Sequence, residues 1–91
     1  MAKQSALKPL KIIVLDRGWV FVGRITESPG QITIDEAACI RYWGTTKGLG
    51  ELAQNGPLQK TKIDPSLRIV APGRAVIFTM DCEESKWKNY R

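Results

Sequence analysis

Arg41, Trp43, Thr45, Thr46, Lys47 and Gly48 fall within one short run of the chain, Arg41-Tyr-Trp-Gly-Thr-Thr-Lys-Gly48. These residue types suit recognition of a phosphate-bearing ligand. Arginine grips phosphate through a fork of N–H donors, and lysine adds a point charge. An exposed indole stacks on a base. Successive N–H groups of a glycine-rich turn form a concavity for an anion, and a helix start behind the turn reinforces it. The full phosphate-loop pattern is absent, because no Gly-Lys-Ser/Thr stands at the required spacing. Gly44, Gly48 and Gly50 would serve equally well simply to turn the chain and let the helix pack closely. Trp43 likewise reads either as a stacking platform or as a core residue with Arg41 over its edge.

Other aromatic residues carry weaker versions of the same signal. Trp19 and Phe21 alternate onto one strand face, which points first to core packing and second to an extended aromatic platform. Trp87, with Lys86, Lys88 and Arg91, forms a basic-aromatic tail that would suit nucleic acid or a neighbouring subunit.

Catalysis has little to work with. The chain has no histidine, so the commonest general base and metal ligand is missing. The nucleophile candidates therefore lack the usual partner. The carboxylates near turns, Asp16, Asp35, Glu36, Asp64, Asp81 and Glu83, show no spacing that fixes a pair on one rigid face. Cys39 and Cys82 sit in no Cys-x-x-Cys pattern, and they read as free thiols before a disulfide. The expectation is a binding protein, not an enzyme, with no cofactor and no metal.

The 91 residues carry a net charge of +5. That excess suits a nucleotide-type small molecule or a nucleic acid, and it suits plain solubility too. The basic residues are dispersed, with no run of five like charges, which argues against a disordered nucleic-acid arm. The longest apolar run, Ile12 to Leu15, is too short to span a membrane. No apolar region of the signal-peptide kind follows Lys3. No membrane partner is expected, and the compartment expected is the cytoplasm of a bacterium or host.

Short strands must position these residues. Leu10–Leu15 and Trp19–Thr26 are β-branched and apolar, joined by the turn Asp16-Arg17-Gly18. Gly23 marks a bend or a close backbone approach. Gln31–Asp35 alternates cleanly, and Cys39–Trp43 resumes as a separate strand or after a bulge. There Ile40 and Tyr42 would share one face, with Cys39, Arg41 and Trp43 on the other. The one helix expected runs from Leu49 to Asn55, with Gly48 as N-cap, Glu51 in the capping-box position and Gly56-Pro57 ending it. Leu58–Ile63 reads as extended and Asp64–Ser66 as a turn. Leu67–Val70 and Ala75–Met80 read as strands about a hairpin-like turn, Ala71–Arg74.

The fold class expected is mainly β, or α+β by strict count. It is a small antiparallel β-barrel or strongly bent sheet of five to six short strands with one short helix. The organisation expected is a loose leader over 1–9, a single β-rich domain over 10–82, and a charged tail or terminal helical turn over 83–91. Enclosing a small ligand in so small a domain would favour a homo-oligomer.

Gly18-Trp-Val-Phe-Val-Gly23, Ile40-Arg-Tyr-Trp-Gly44 and Leu49-Gly-Glu-Leu-Ala-Gln-Asn-Gly56 resemble segments of a family of small uncharacterised tailed-bacteriophage proteins. The resemblance covers about Lys11 to Cys82 and departs at Thr45 to Gly48. It implies a phage accessory protein in the host bacterial cytoplasm, with no catalytic residues to carry over. Such proteins often counter host defences, some by sequestering nucleotide immune signals. Three readings stand: a phosphate-ligand binding module of this anti-defence kind, a nucleic-acid-binding small barrel, and a structural or host-partner-binding phage protein.

Overall fold

The alternation of Leu10-Lys-Ile-Ile-Val-Leu15 yields a strand buried on both faces, and the remaining elements are laid around it. The computed structural model describes residues 8–88 and Tyr90. The strands are β1 Leu10–Leu15, β2 Trp19–Ser28, β3 Gln31–Tyr42, β4 Lys62–Pro65, β5 Ile69–Pro72 and β6 Val76–Asp81, and the helix α1 spans Leu49–Asn55. They form one antiparallel sheet in the order β4-β3-β2-β1-β6, with β5 also on β3. β4 pairs along Ala38–Tyr42 of β3 and β5 along its start, Gln31–Ile34.

Two hydrophobic clusters lie on opposite faces of this sheet. Ile12, Val20, Val22, Ala38 and Ile40 pack beneath Leu49, Leu52 and Ala53 of α1 and beneath Trp87. Ile13, Leu15, Phe21, Ile25, Ile32, Ile34 and Ala37 form the second cluster, which Ala71 of β5 joins. Side chains alternate faces along a strand, so β1 and β2 feed both clusters.

β3 serves both clusters by a different device. Ile32 and Ile34 belong to one face, whereas Ala38 and Ile40, of the same parity, belong to the other. A bulge reverses the phase: Val22 pairs with Ala38 and Arg24 with Asp35, so Glu36 and Ala37 stand together opposite Gly23. Glu36 takes a left-handed φ of 51° there. The approach needs a glycine opposite, because a Cβ on Gly23 would sit 2.5 Å from Ile34 Cγ2 and 2.8 Å from the Asp35 carbonyl oxygen. The segments read as Gln31–Asp35 and Cys39–Trp43 are therefore one continuous strand, Gln31–Tyr42, bent at a bulge, with Trp43 just past its end.

The chain end folds back over α1. Trp87 is 1% exposed and its indole N–H donates to the Ala53 carbonyl at 2.9 Å. The Glu83 N–H bonds the same carbonyl at 3.0 Å. Glu84–Lys86 forms a short 3-10 turn. The Tyr90 hydroxyl donates to the carbonyl of the bulge residue Glu36 at 2.6 Å. Trp87 is thus a core residue of its own domain, and neither a nucleic acid nor a second subunit can reach it. At the other end, Arg24 holds the Lys8 carbonyl at 3.0 Å and the Ile25 N–H bonds the Pro9 carbonyl at 3.1 Å. The leader read over 1–9 otherwise lies outside the described residues, as do Asn89 and Arg91.

The mainly β architecture with one helix matches the sequence reading. The sheet is not closed into a barrel: β4 and β5 end it on one side and β6 on the other. Ala71–Arg74 does not turn a hairpin, because β5 lies on β3 and β6 on β1. The connection is instead a 3-10 turn, Gly73–Ala75, whose Gly73 N–H bonds the Gly30 carbonyl at 3.0 Å. Asp64 and Pro65, read as a turn, are strand residues paired to Cys39 and Ala38. No helix among the described residues is long and apolar enough to cross a membrane.

Candidate functional site

The end of β3 carries Arg41 and Tyr42 out of the sheet, and Trp43 and Gly44 follow directly. β4 pairs irregularly here: Ile40 faces Ile63, but Tyr42 faces Lys62. That shift breaks the parity that would place Tyr42 beside Ile40. Ile40 is buried, whereas Tyr42 is 57% exposed and Trp43 40% exposed. Two adjacent aromatic side chains therefore stand at the surface beside Arg41.

The backbone beneath them is pinned. Thr61 Oγ1 donates to the Trp43 carbonyl at 2.7 Å and accepts the Leu58 N–H at 2.9 Å. Gly44 has a φ of 70°, and a Cβ on it would meet the Lys60 and Thr61 backbone at 2.6–2.9 Å. Only glycine allows this approach, which holds the start of the turn against Lys60–Lys62.

Two open clefts flank this strand end. One, of about 530 Å³, is lined by Arg41, Tyr42, Thr61, Lys62, Ile63 and Asp64. The other, of about 280 Å³, is lined by Arg41, Tyr42, Trp43, Gly44 and Thr45. Arg41 and Tyr42 belong to both. Arg41 Nη1 donates to Asp64 Oδ2 at 2.9 Å, in a pair exposed on both sides. Such a pair contributes about 0–1 kcal/mol. It occupies one of the five guanidinium donors, so others stay available to a ligand anion.

The glycine-rich turn is arranged differently. The Glu51 carboxylate accepts the Lys47 N–H at 2.8 Å and the Thr46 N–H at 3.2 Å. The Gly48 N–H bonds Thr45 Oγ1 at 3.2 Å. Glu51 thus reaches one residue past the N-cap Gly48 that a capping box would bond. The Thr46 and Lys47 amides that the sequence offers to an external anion are bonded instead to the chain's own carboxylate. Of the residues read as a site, Arg41, Trp43 and Thr45 line a common cleft, whereas Thr46, Lys47 and Gly48 line neither.

Tyr42, Thr61, Lys62 and Asp64 complete the clefts and went unread in the sequence. Simple alternation puts Tyr42 on the face of Ile40, away from Arg41 and Trp43. Lys62 and Asp64 arrive through the long-range β3–β4 pairing, which leaves no local signature.

Trp19 stacks on Phe21 with ring centroids 6.2 Å apart. Phe21 is buried and Trp19 exposed, so the pair is core at one end and surface at the other. The two cysteines are free and lie on opposite faces of the sheet, Cys39 against one cluster and Cys82 against the other. Burial pushes the Cys82 thiol up to about 12. Burial, then the Asp64 charge, raises Cys39, against a smaller opposing pull from Arg41. Both thiols therefore stay protonated at neutral pH, which suppresses their nucleophilicity. No group of three metal-ligating side chains gathers among the described residues.

Comparison with models of known families and with curated proteins yields no match.

Proposed function

We propose that this protein is a non-enzymatic binding module for a phosphate-bearing ligand that carries a planar base. The ligand lies across the end of β3, with its base on Tyr42 or Trp43 and its phosphate on Arg41 and Lys62. The observation that carries this reading is the exposure of two adjacent aromatic rings, Tyr42 and Trp43, beside two clefts that share Arg41. Stacking on an aromatic ring contributes about 1–3 kcal/mol per base, and the guanidinium supplies directional donors for phosphate. In the phage setting implied by the sequence resemblance, such binding would sequester a nucleotide signal of host immunity. Isothermal titration of the folded protein with cyclic dinucleotides and ADP-ribose-type nucleotides tests it. Saturable heat that is lost in Arg41→Ala supports the reading, and no heat with any of them rejects it.

A second reading is favoured by the continuity of the clefts. They adjoin through Arg41 and Tyr42, so two neighbouring bases of a single-stranded nucleic acid could be seated at once. Phosphate contacts release counterions, so binding of an oligonucleotide would weaken steeply with salt. Fluorescence-anisotropy titrations at low and moderate salt separate the two. A mononucleotide that binds as tightly as an oligonucleotide favours the first.

A further inference from the structure

Asp64 stands inside the cleft assigned to the phosphate, beside Arg41 and Lys62. Its Oδ2 holds Arg41 Nη1 at 2.9 Å. An anion gripped by the remaining donors of that guanidinium lies within about 6 Å of the carboxylate. Lys62 makes no ion pair among the described residues. The charged side chains lining the cleft therefore leave one net positive charge, matched to one negative charge and not to two. Cys39, paired with Asp64 across the ladder, adds none, because burial and then the Asp64 charge keep its thiol neutral. Uncharged donors are scarce as well. The Thr61 hydroxyl gives its proton to the Trp43 carbonyl at 2.7 Å. The Thr46 and Lys47 amides are bonded to Glu51.

We propose that Asp64 makes this site selective for a nucleoside phosphodiester over a terminal phosphate monoester. The proposal rests on the nucleotide-binding reading above and names the class of phosphate that the site takes. A diester carries one charge. A monoester carries about −1.5 to −2 at neutral pH, since its second pKa is about 6. The cost of desolvating an ion grows with the square of its charge, whereas its attraction to the cleft grows only in proportion. One net positive charge therefore offsets that cost for a monoanion and falls short for a dianion. Repulsion by Asp64 acts once on the diester and nearly twice on the monoester. Cyclic nucleotides, dinucleotides and single strands all share the favoured chemistry, one charge per phosphate.

Isothermal titration with 5′-AMP and with its methyl phosphodiester tests this, because the two differ by one methyl group and one charge. At pH about 7.5 the wild type is expected to bind the diester about fivefold more tightly. Asp64→Asn is expected to strengthen the diester about threefold and the monoester about tenfold, near the square of the smaller factor. With no histidine in the chain, the group that titrates between pH about 7.5 and about 5.5 is the monoester itself. Its affinity for the wild type is expected to rise over that interval and close most of the gap. The dinucleotide ApA and an oligoadenylate, titrated alongside, are both expected to bind more tightly than 5′-AMP; equal affinity for the two identifies a small ligand, and affinity rising with length identifies a strand. A monoester bound as tightly as the diester at pH about 7.5 overturns the selectivity and leaves the nucleotide site standing. Equal gains of the two ligands in Asp64→Asn do the same. Absence of heat with every ligand removes the site itself, and the selectivity with it. If Asp64→Asn fails to fold, the pH comparison on the wild type decides alone, and a gap that does not narrow overturns the proposal.

Discussion

The Glu51 carboxylate accepts the backbone N–H of Lys47 at 2.8 Å, closing the glycine-rich turn on itself. An anion cradle satisfied internally has no donors left for an external phosphate unless Glu51 is displaced. Glu51→Ala frees the Thr46 and Lys47 amides to water and removes the tie between turn and helix. It is expected to lower stability by about 1 kcal/mol, read from the midpoint of urea unfolding. Nucleotide affinity is expected to stay within about twofold of wild type, because the strand-end clefts do not use these amides.

Arg41 and Asp64 set opposite trends. Asp64 draws on the guanidinium and places a negative charge in the cleft where phosphate is seated. Arg41→Ala is expected to weaken phosphate-ligand binding by about tenfold or more, the scale of one charge-assisted hydrogen bond. Asp64→Asn is expected to strengthen it. Calorimetric titrations of both variants with the same nucleotide read the two directions side by side.

Trp87 ties the chain end to α1 through burial and through its bond to Ala53. Trp87→Ala is expected to cost about 3–5 kcal/mol, in the range of buried aromatic truncations. In a small domain of ordinary stability this removes much of the margin. Thermal unfolding monitored by circular dichroism checks it.

The Cys82 thiol gives a pH signature. Its value rises from 9.0 to about 12 on folding. A neutral thiol favoured by the fold contributes stability that is complete below the unfolded value, and that stability is lost as pH climbs from 9 towards 12. Between pH about 8 and about 10.5 the wild type is therefore expected to lose more stability than Cys82→Ala. At neutral pH, alkylation followed by mass spectrometry is expected to modify the more accessible Cys39 before Cys82.

Local signals in the sequence carried most of the secondary structure. Leu10–Leu15 and Leu49–Asn55 begin and end where side-chain pattern, Gly48 and Gly56-Pro57 place them. Gly23 was legible as a close approach, yet the bulge opposite it was not, because a two-against-one pairing depends on the register of β2 on β3. The partners of β5 and β6 were illegible for the same reason: nothing local tells a strand which edge it joins. Half of the candidate site followed this pattern. Arg41, Trp43 and Thr45 were visible from residue type, whereas Lys62 and Asp64 required the pairing of Ile40 with Ile63. Charge and aromatic content alone leave Trp87 open between a basic-aromatic tail and a terminal turn folded back on the domain. Its burial depends on a docking site made by α1, distant in the chain.

The most direct test of the account is amide and indole NMR of the protein titrated with ADP. The strand-end site predicts shifts concentrated at Arg41–Thr45 and Thr61–Asp64, including the Trp43 indole N–H, with Thr46, Lys47 and Gly48 nearly still. Shifts centred on Lys47 and Gly48, or none anywhere at saturating nucleotide, would contradict it.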